Sequence, residues 1–132
     1  MARIGYLVSE YPGTSHTFIR REVEALRALG IDLTTYSVRQ PDHTIDNERE
    51  ARARAETFTI LDASKASLLA MALAEALRRP LRSAGALRLA LRHRVPGVKA
   101  LVWALFHWLE AMVLAGRLRS DRIDHLHNHF GN

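Results

Sequence analysis

The feature that most constrains this chain is a strand, a break, a helix, a stop and a second strand, all completed within the first forty residues. Ile4, Tyr6, Leu7 and Val8 form a short, nearly continuous apolar run. A strand buried on both faces of a parallel sheet has this pattern, so a strand is expected over Arg3 to Ser9. Glu10-Tyr11-Pro12-Gly13 breaks it. A helix is expected from His16 to Leu29, capped by the hydroxyl of Thr14 or Ser15, which can accept from an unpaired first-turn N–H. Ile19, Val23 and Leu26 then share one face. Gly30 supplies a left-handed stop, and Ile31 to Val38 is the next strand, rich in β-branched and aromatic residues. This is a βαβ unit, for which parallel strands and a right-handed crossover are expected. Such units bind ligands at the carboxyl ends of their strands, here Ser9 to Thr17.

The rest of the chain must complete one sheet and cover it. With 132 residues, 48% of them apolar, a single globular α/β domain is expected. There is no cysteine, which rules out disulfides, a Cys-based zinc site and a thiol nucleophile. A reducing, cytoplasmic setting fits, and Met1 to Tyr6 lacks a signal-peptide pattern. Residues 39 to 55 read as a polar loop and a charged helical turn, and Thr57 to Leu61 as a third strand. Ser64 should cap a helix to Arg79, with Pro80 interrupting before a second helix from Leu81 to His93. Val95-Pro96-Gly97 breaks the chain again. Val98 to Leu118 is the longest expected helix, Arg119-Ser120-Asp121 a turn, and Ile123 to Phe130 a fourth strand.

Charge is unevenly spread over this plan. The net charge is +5. Acids outnumber bases between Pro41 and Asp62, whereas Ala76 to Leu109 holds no acid at all. That stretch carries Arg78, Arg79, Arg82, Arg88, Arg92, Arg94 and Lys99, interleaved with Leu and Ala at helical spacing. The ordinary reading is a solvated face; the sharper one is a surface for anionic lipid headgroups, centred on Arg78, Arg79, Arg82, Arg88 and Arg92. Nucleic acid is disfavoured, because no aromatic precedes Trp103 in the block for bases to stack on. The long helix raises the question of a membrane span. Lys99, His107 and Glu110 argue against it. Val98, Leu101, Val102, Leu105, Leu109, Met112 and Val113 are expected as one stripe packed on the sheet.

Two constellations carry chemistry. The first is Gly13, Thr14, Ser15, His16 and Thr17, a Gly and hydroxyls leading into a helix N-terminus, suited to a phosphate or a sugar hydroxyl. It contains neither a dinucleotide fingerprint nor a phosphate-loop motif. The second is Asp124-His125-Leu126-His127-Asn128-His129-Phe130. Strand alternation puts His125, His127 and His129 on one face. Same-face neighbours stand about 7 Å apart, so all three would strain to share a metal ion. No metal site is therefore assigned, and His127 and His129 are better read as substrate contacts or proton partners. His43 and His93 are expected to be solvated, and His107 to lie on a helix surface.

Together these motifs resemble the N-terminal domain of family 4 glycosyltransferases, of the kind that builds bacterial exopolysaccharides and lipid-linked glycans. The resemblance rests on Ile4 to Val8, on Pro12, Ser15, Thr17-Phe18-Ile19, Glu22, Leu26 and Gly30, and on His127-Asn128-His129-Phe130. It covers about the first forty residues and the last ten. It implies a GT-B architecture, two Rossmann-like domains facing across a cleft, with this chain the acceptor-side one. It implies a retaining transfer of sugar from a nucleotide-sugar donor to a glycan or lipid-linked acceptor, without a cofactor or metal. Gly13 to Thr17 would then lie against the donor diphosphate and acceptor, and His129, with His127 beside it, would contact the transferred sugar. The basic middle would dock peripherally on the inner face of the plasma membrane.

The chain departs from the pattern in having one glycine in its first loop where many members have two, and about four strands where six or seven are usual. It is accordingly expected to be a fragment without the donor-binding domain. It should be inactive alone, and poorly soluble or self-associating; turnover of a nucleotide sugar by the isolated chain would sink that expectation. The competing classes are a non-catalytic membrane-surface module, a nucleotide-binding regulator, and a metal-dependent hydrolase fragment built on the three histidines.

Overall fold

The structure, a computed structural model, describes residues 1–13 and 17–129. The chain divides into two compact units. One comprises Met1–Asp62 with the segment that begins at Asp121, and the other Ala63–Ser120.

The first unit is a four-stranded parallel sheet in the order β3-β2-β1-β4, with helices packed on it. Strand β1 (Ile4–Glu10) pairs in parallel with β2 (Leu33–Arg39), as the βαβ reading requires. Between them runs α1 (Thr17–Ala28), which buries Ile19 and Val23 against Tyr6, Val8, Tyr11 and Leu33. Leu26 packs at the margin of this cluster. The stop at Gly30 holds, with φ of +82°. The expected caps of α1, Thr14 and Ser15, lie outside the described residues.

Arg27 ties this unit together at its lower edge. Its Nε donates to the Leu33 carbonyl at 3.0 Å, and its Nη1 meets Glu56 Oε2 at 2.8 Å, just past α2 (Glu48–Ala55). Asn47 caps α2, its side chain accepting from the Glu50 N–H at 2.9 Å. The third strand is shorter than expected. β3 is only Phe58–Thr59, because Ile60–Asp62 winds into a 3-10 turn instead of continuing the ladder.

The last strand, β4 (His125–His129), lies beside β1, parallel to it. Asp121 and Arg122 make the turn into it, Arg122 at φ of 57°, while Arg119 and Ser120, expected in that turn, still belong to the preceding helix. Arg3 fastens the junction: its N–H donates to Asp124 Oδ2 at 2.9 Å and its Nη1 to the Asp121 carbonyl at 2.7 Å. Its Nε also pairs with Asp32 at 2.6 Å, which raises the guanidinium pKa further. Gly5 explains how closely β4 can approach. A Cβ there would stand 3.1 Å from Ile123 Cγ2 and Tyr36 Cε2, and 3.2 Å from Leu126 Cδ1.

The second unit is helical: α3 (Lys65–Arg78), α4 (Pro80–His93) and α5 (Val98–Ser120). Ser64 caps α3 as expected, its Oγ accepting from the Ser67 N–H at 3.2 Å. Pro80 opens α4, where its missing N–H has no partner to lose. The stripe expected on α5 is corrected by the structure. Ala104, Met112 and Val113 are its buried residues, while Val98, Val102 and Leu105 are exposed, and α5 packs on α3 and α4. The reason is local. Glu75 of α3, nearly buried, grips Arg119 of α5 at 2.6 Å, and Trp108 Nε1 donates to the Ser83 carbonyl of α4 at 3.0 Å. These polar ties fix which side of α5 faces its neighbours. The Arg119 guanidinium holds the Glu75 carboxyl below its usual range. By length and composition α5 could cross a membrane; 11% of its most apolar 18-residue window is buried.

Candidate functional site

The site is built by one pairing. Parallel register sets Ile4 opposite His125, Tyr6 opposite His127 and Val8 opposite His129. The three histidines therefore lie on the sheet face that carries Tyr6 and Val8, the face on which α1 packs. The loop that begins at Tyr11 leaves the same end of β1 at which His129 stands. His129 and the start of the loop at Tyr11, more than a hundred residues apart in sequence, thus share the carboxyl edge of one parallel sheet.

The aromatic contacts are specific. His127 and His129 meet edge-on, ring centroids 4.5 Å apart. Tyr6 touches both, at 4.9 Å from His127 and 5.1 Å from His129. The Tyr6 hydroxyl donates to Glu22 Oε1 of α1 at 2.7 Å. Burial, reinforced by that carboxylate, pushes the Tyr6 phenol up to about 12. It stays neutral throughout the physiological range. A neutral phenol fixed at its far end gives the imidazoles a rigid aromatic wall. His127 is exposed and His129 half-buried, so the pair presents one ring to solvent and one to the sheet.

Tyr6 and Glu22 are the members of this site to which sequence reasoning gave no chemical role. The signal was the polar tip on Tyr6 within an otherwise apolar strand. Glu22 entered only as part of the family resemblance. On the loop side, Tyr11 is buried, with its N–H donating to Ser37 Oγ at 3.0 Å, and its peptide bond to Pro12 is cis. Gly13 follows it. Thr14, Ser15 and His16 lie outside the described residues, as does Phe130; Thr17 is the first described residue of α1.

His125 shares the face but is exposed and stacks on neither Tyr6 nor the other two rings. Among the described residues no group of three or more His, Asp or Glu is placed to hold a metal ion. His43 corrects an expectation. It is not solvated but only 21% exposed, with Nε2 at 3.4 Å from Glu50 Oε2 across the loop before α2. His93 is exposed as expected. His107 is also on the surface, where it bonds Glu110 at 2.9 Å. Beyond Tyr11, between α1 and α2, lies a cavity of about 400 Å³ whose charged wall includes Arg20, Arg49 and Arg52. The ring of Tyr11 lines it, and burial pushes that phenol up to about 12 as well.

No known protein family, curated protein or solved structure matches the chain.

Proposed function

We propose that this chain is the acceptor-side part of a retaining glycosyltransferase of GT-B architecture. It would help move a sugar from a nucleotide-sugar donor to a glycan or lipid-linked acceptor. The observation that carries the reading is the parallel pairing of β4 with β1, which brings His129 to the edge where the Tyr11–Gly13 loop begins. The resemblance needs these two motifs to act on one substrate, and the pairing supports this by putting His129 at the end of β1 from which the loop departs.

The chemistry suited to this edge is positioning and charge stabilisation. The first turn of α1 lies at the positive end of its helix dipole, which favours an anionic diphosphate. Gly13 allows backbone to approach it closely. An imidazole offers one donor and one acceptor to sugar hydroxyls. His129, held against Tyr6 and His127, would orient the sugar rather than attack it, and the gain would come from alignment and from stabilising the leaving diphosphate.

The test is a titration of the isotope-labelled chain with uridine- and guanosine-diphosphate hexoses and with oligosaccharide acceptors, followed by amide and imidazole chemical shifts. The expected result is shifts confined to Gly13, Thr17, His127 and His129, lost in His129→Ala. Shifts that bypass this edge, or stoichiometric zinc on the three histidines, would overturn the reading.

A further inference from the structure

The helical unit carries a second feature with its own logic. Trp108 of α5 bonds to Ser83 of α4, and the two residues stand nearly equally far in sequence from the Val95-Pro96-Gly97 bend. The helices therefore fold back as a hairpin, and everything between Ser83 and Trp108 is its outer half. From Trp108 to the first residue of α5 the helix rises about 15 Å. Over that length much of the apolar surface is uncovered. Val98 is 79% exposed, Val95 70%, Leu89 and Val102 60%, and Trp103 51%. The exposed residues do not form a single stripe; Val102 and Trp103 are consecutive and both open. Trp103 stacks on His107 and meets Phe106 edge-on, an aromatic group on the outside of the helix.

The same half of the hairpin is strongly basic. Arg88, Arg92, Arg94 and Lys99 are all exposed, and no acid occurs between Ala76 and Leu109. Arg94 also reaches back to the Val95 and Gly97 carbonyls, closing the bend. An acid-free basic surface with exposed aliphatic side chains and an indole suits an anionic bilayer: headgroups take the cations, long side chains stretch outward, and the indole settles at the interface.

We propose that the tip of the α4–α5 hairpin docks on an anionic phospholipid membrane, inserting Val95, Val98, Val102 and Trp103 into one leaflet. The length sets the mode. About 15 Å of apolar helix is half of a hydrocarbon core of about 30 Å, too short to cross, and Arg94 and Lys99 on either side of the bend hold the tip at headgroup depth with its apolar side chains just below. The Glu75–Arg119 pair keeps the base of α5 within its own helical unit. This inference does not rest on the glycosyltransferase reading, and vesicle binding and sugar-induced shifts at His129 succeed or fail separately.

The experiment is sedimentation of the full chain with vesicles of phosphatidylcholine alone or with about one-third phosphatidylglycerol. Binding is expected only with the anionic lipid and should be released by high salt and by alkaline carbonate. Arg88→Gln with Arg92→Gln is expected to weaken it about thirtyfold, at about fivefold for each cation near the surface. Val98→Asp with Val102→Asp should abolish it while circular dichroism stays unchanged, since both side chains are exposed. Brominated lipid should quench the tryptophan emission, and Trp103→Phe should remove most of that quenching with binding retained. Equal binding to neutral vesicles, resistance to carbonate, or a stable self-associated form that shields Trp103 and ignores vesicles would each overturn the proposal. The first would remove the charge argument, the second would indicate a span, and the third would make a second copy the occupant.

Discussion

Tyr6 shows how one side chain can serve core and site together. Its ring is buried in the cluster under α1, its edge carries both imidazoles, and its hydroxyl ends on Glu22. Tyr6→Phe keeps the ring and deletes the bond, so it should cost about 1 kcal/mol in denaturant unfolding and leave the His127 and His129 ring signals nearly unmoved. The raised phenol pKa has a definite sign. The neutral form is the one the fold prefers, so its contribution is whole below the ordinary tyrosine value and fades as pH climbs toward about 12. Ultraviolet titration of phenolate absorbance should find one late-titrating tyrosine fewer in Tyr6→Phe. Much at this scale was legible beforehand. Strand alternation alone put His127 and His129 on one face. It could not name the ring they would meet, because that depends on which strand β4 joins and in which register. His43 was misjudged for a similar reason: a polar sequence neighbourhood says nothing of a carboxylate seven residues on that folds over it.

At the scale of elements, period and punctuation read well where packing is local. Gly30, Asn47, Ser64 and Pro80 mark helix ends through backbone chemistry that acts within a turn. The sequence reading failed on α5, where nearly every residue of the first half is apolar and periodicity therefore carries no direction. Glu75 and Arg119 decide that direction from opposite ends of the unit. Breaking this pair leaves a half-exposed guanidinium without its carboxylate, so Glu75→Gln should lower the melting temperature by roughly 3 to 6 °C. Because the carboxyl pKa is depressed in the fold, its contribution is present above the usual carboxylate range and lost as pH falls through the lowered value. The acid limb of a pH–stability curve should accordingly be shallower in Glu75→Gln than in the parent chain.

At the scale of the whole molecule, the helical unit is an excursion. The chain leaves the sheet unit after Asp62 and rejoins it at Asp121 to place its last strand beside its first. The α/β class and the parallel βαβ opening could be anticipated, because the pattern of elements dictates them. The division into two units could not, since it turns on which helices find one another. Gly5 is where the return can be tested. Gly5→Ala forces a methyl group among Ile123, Tyr36 and Leu126, and should destabilise the chain by about 1 to 3 kcal/mol. Hydrogen exchange should show the loss concentrated at β4 and in the β1 amides that pair with it.

The excursion has a consequence in time. On a ribosome, β1 emerges early and gains β2 soon after, but its other edge has no partner until residues 125 to 129 are made. At about 5 to 20 residues per second, the intervening stretch takes on the order of ten seconds to synthesise. For that interval the nascent chain carries an open parallel edge on β1, and the helical unit is synthesised before that edge can close. Slower synthesis across residues 63 to 120 lengthens the time for which that edge stays open to pairing with another chain.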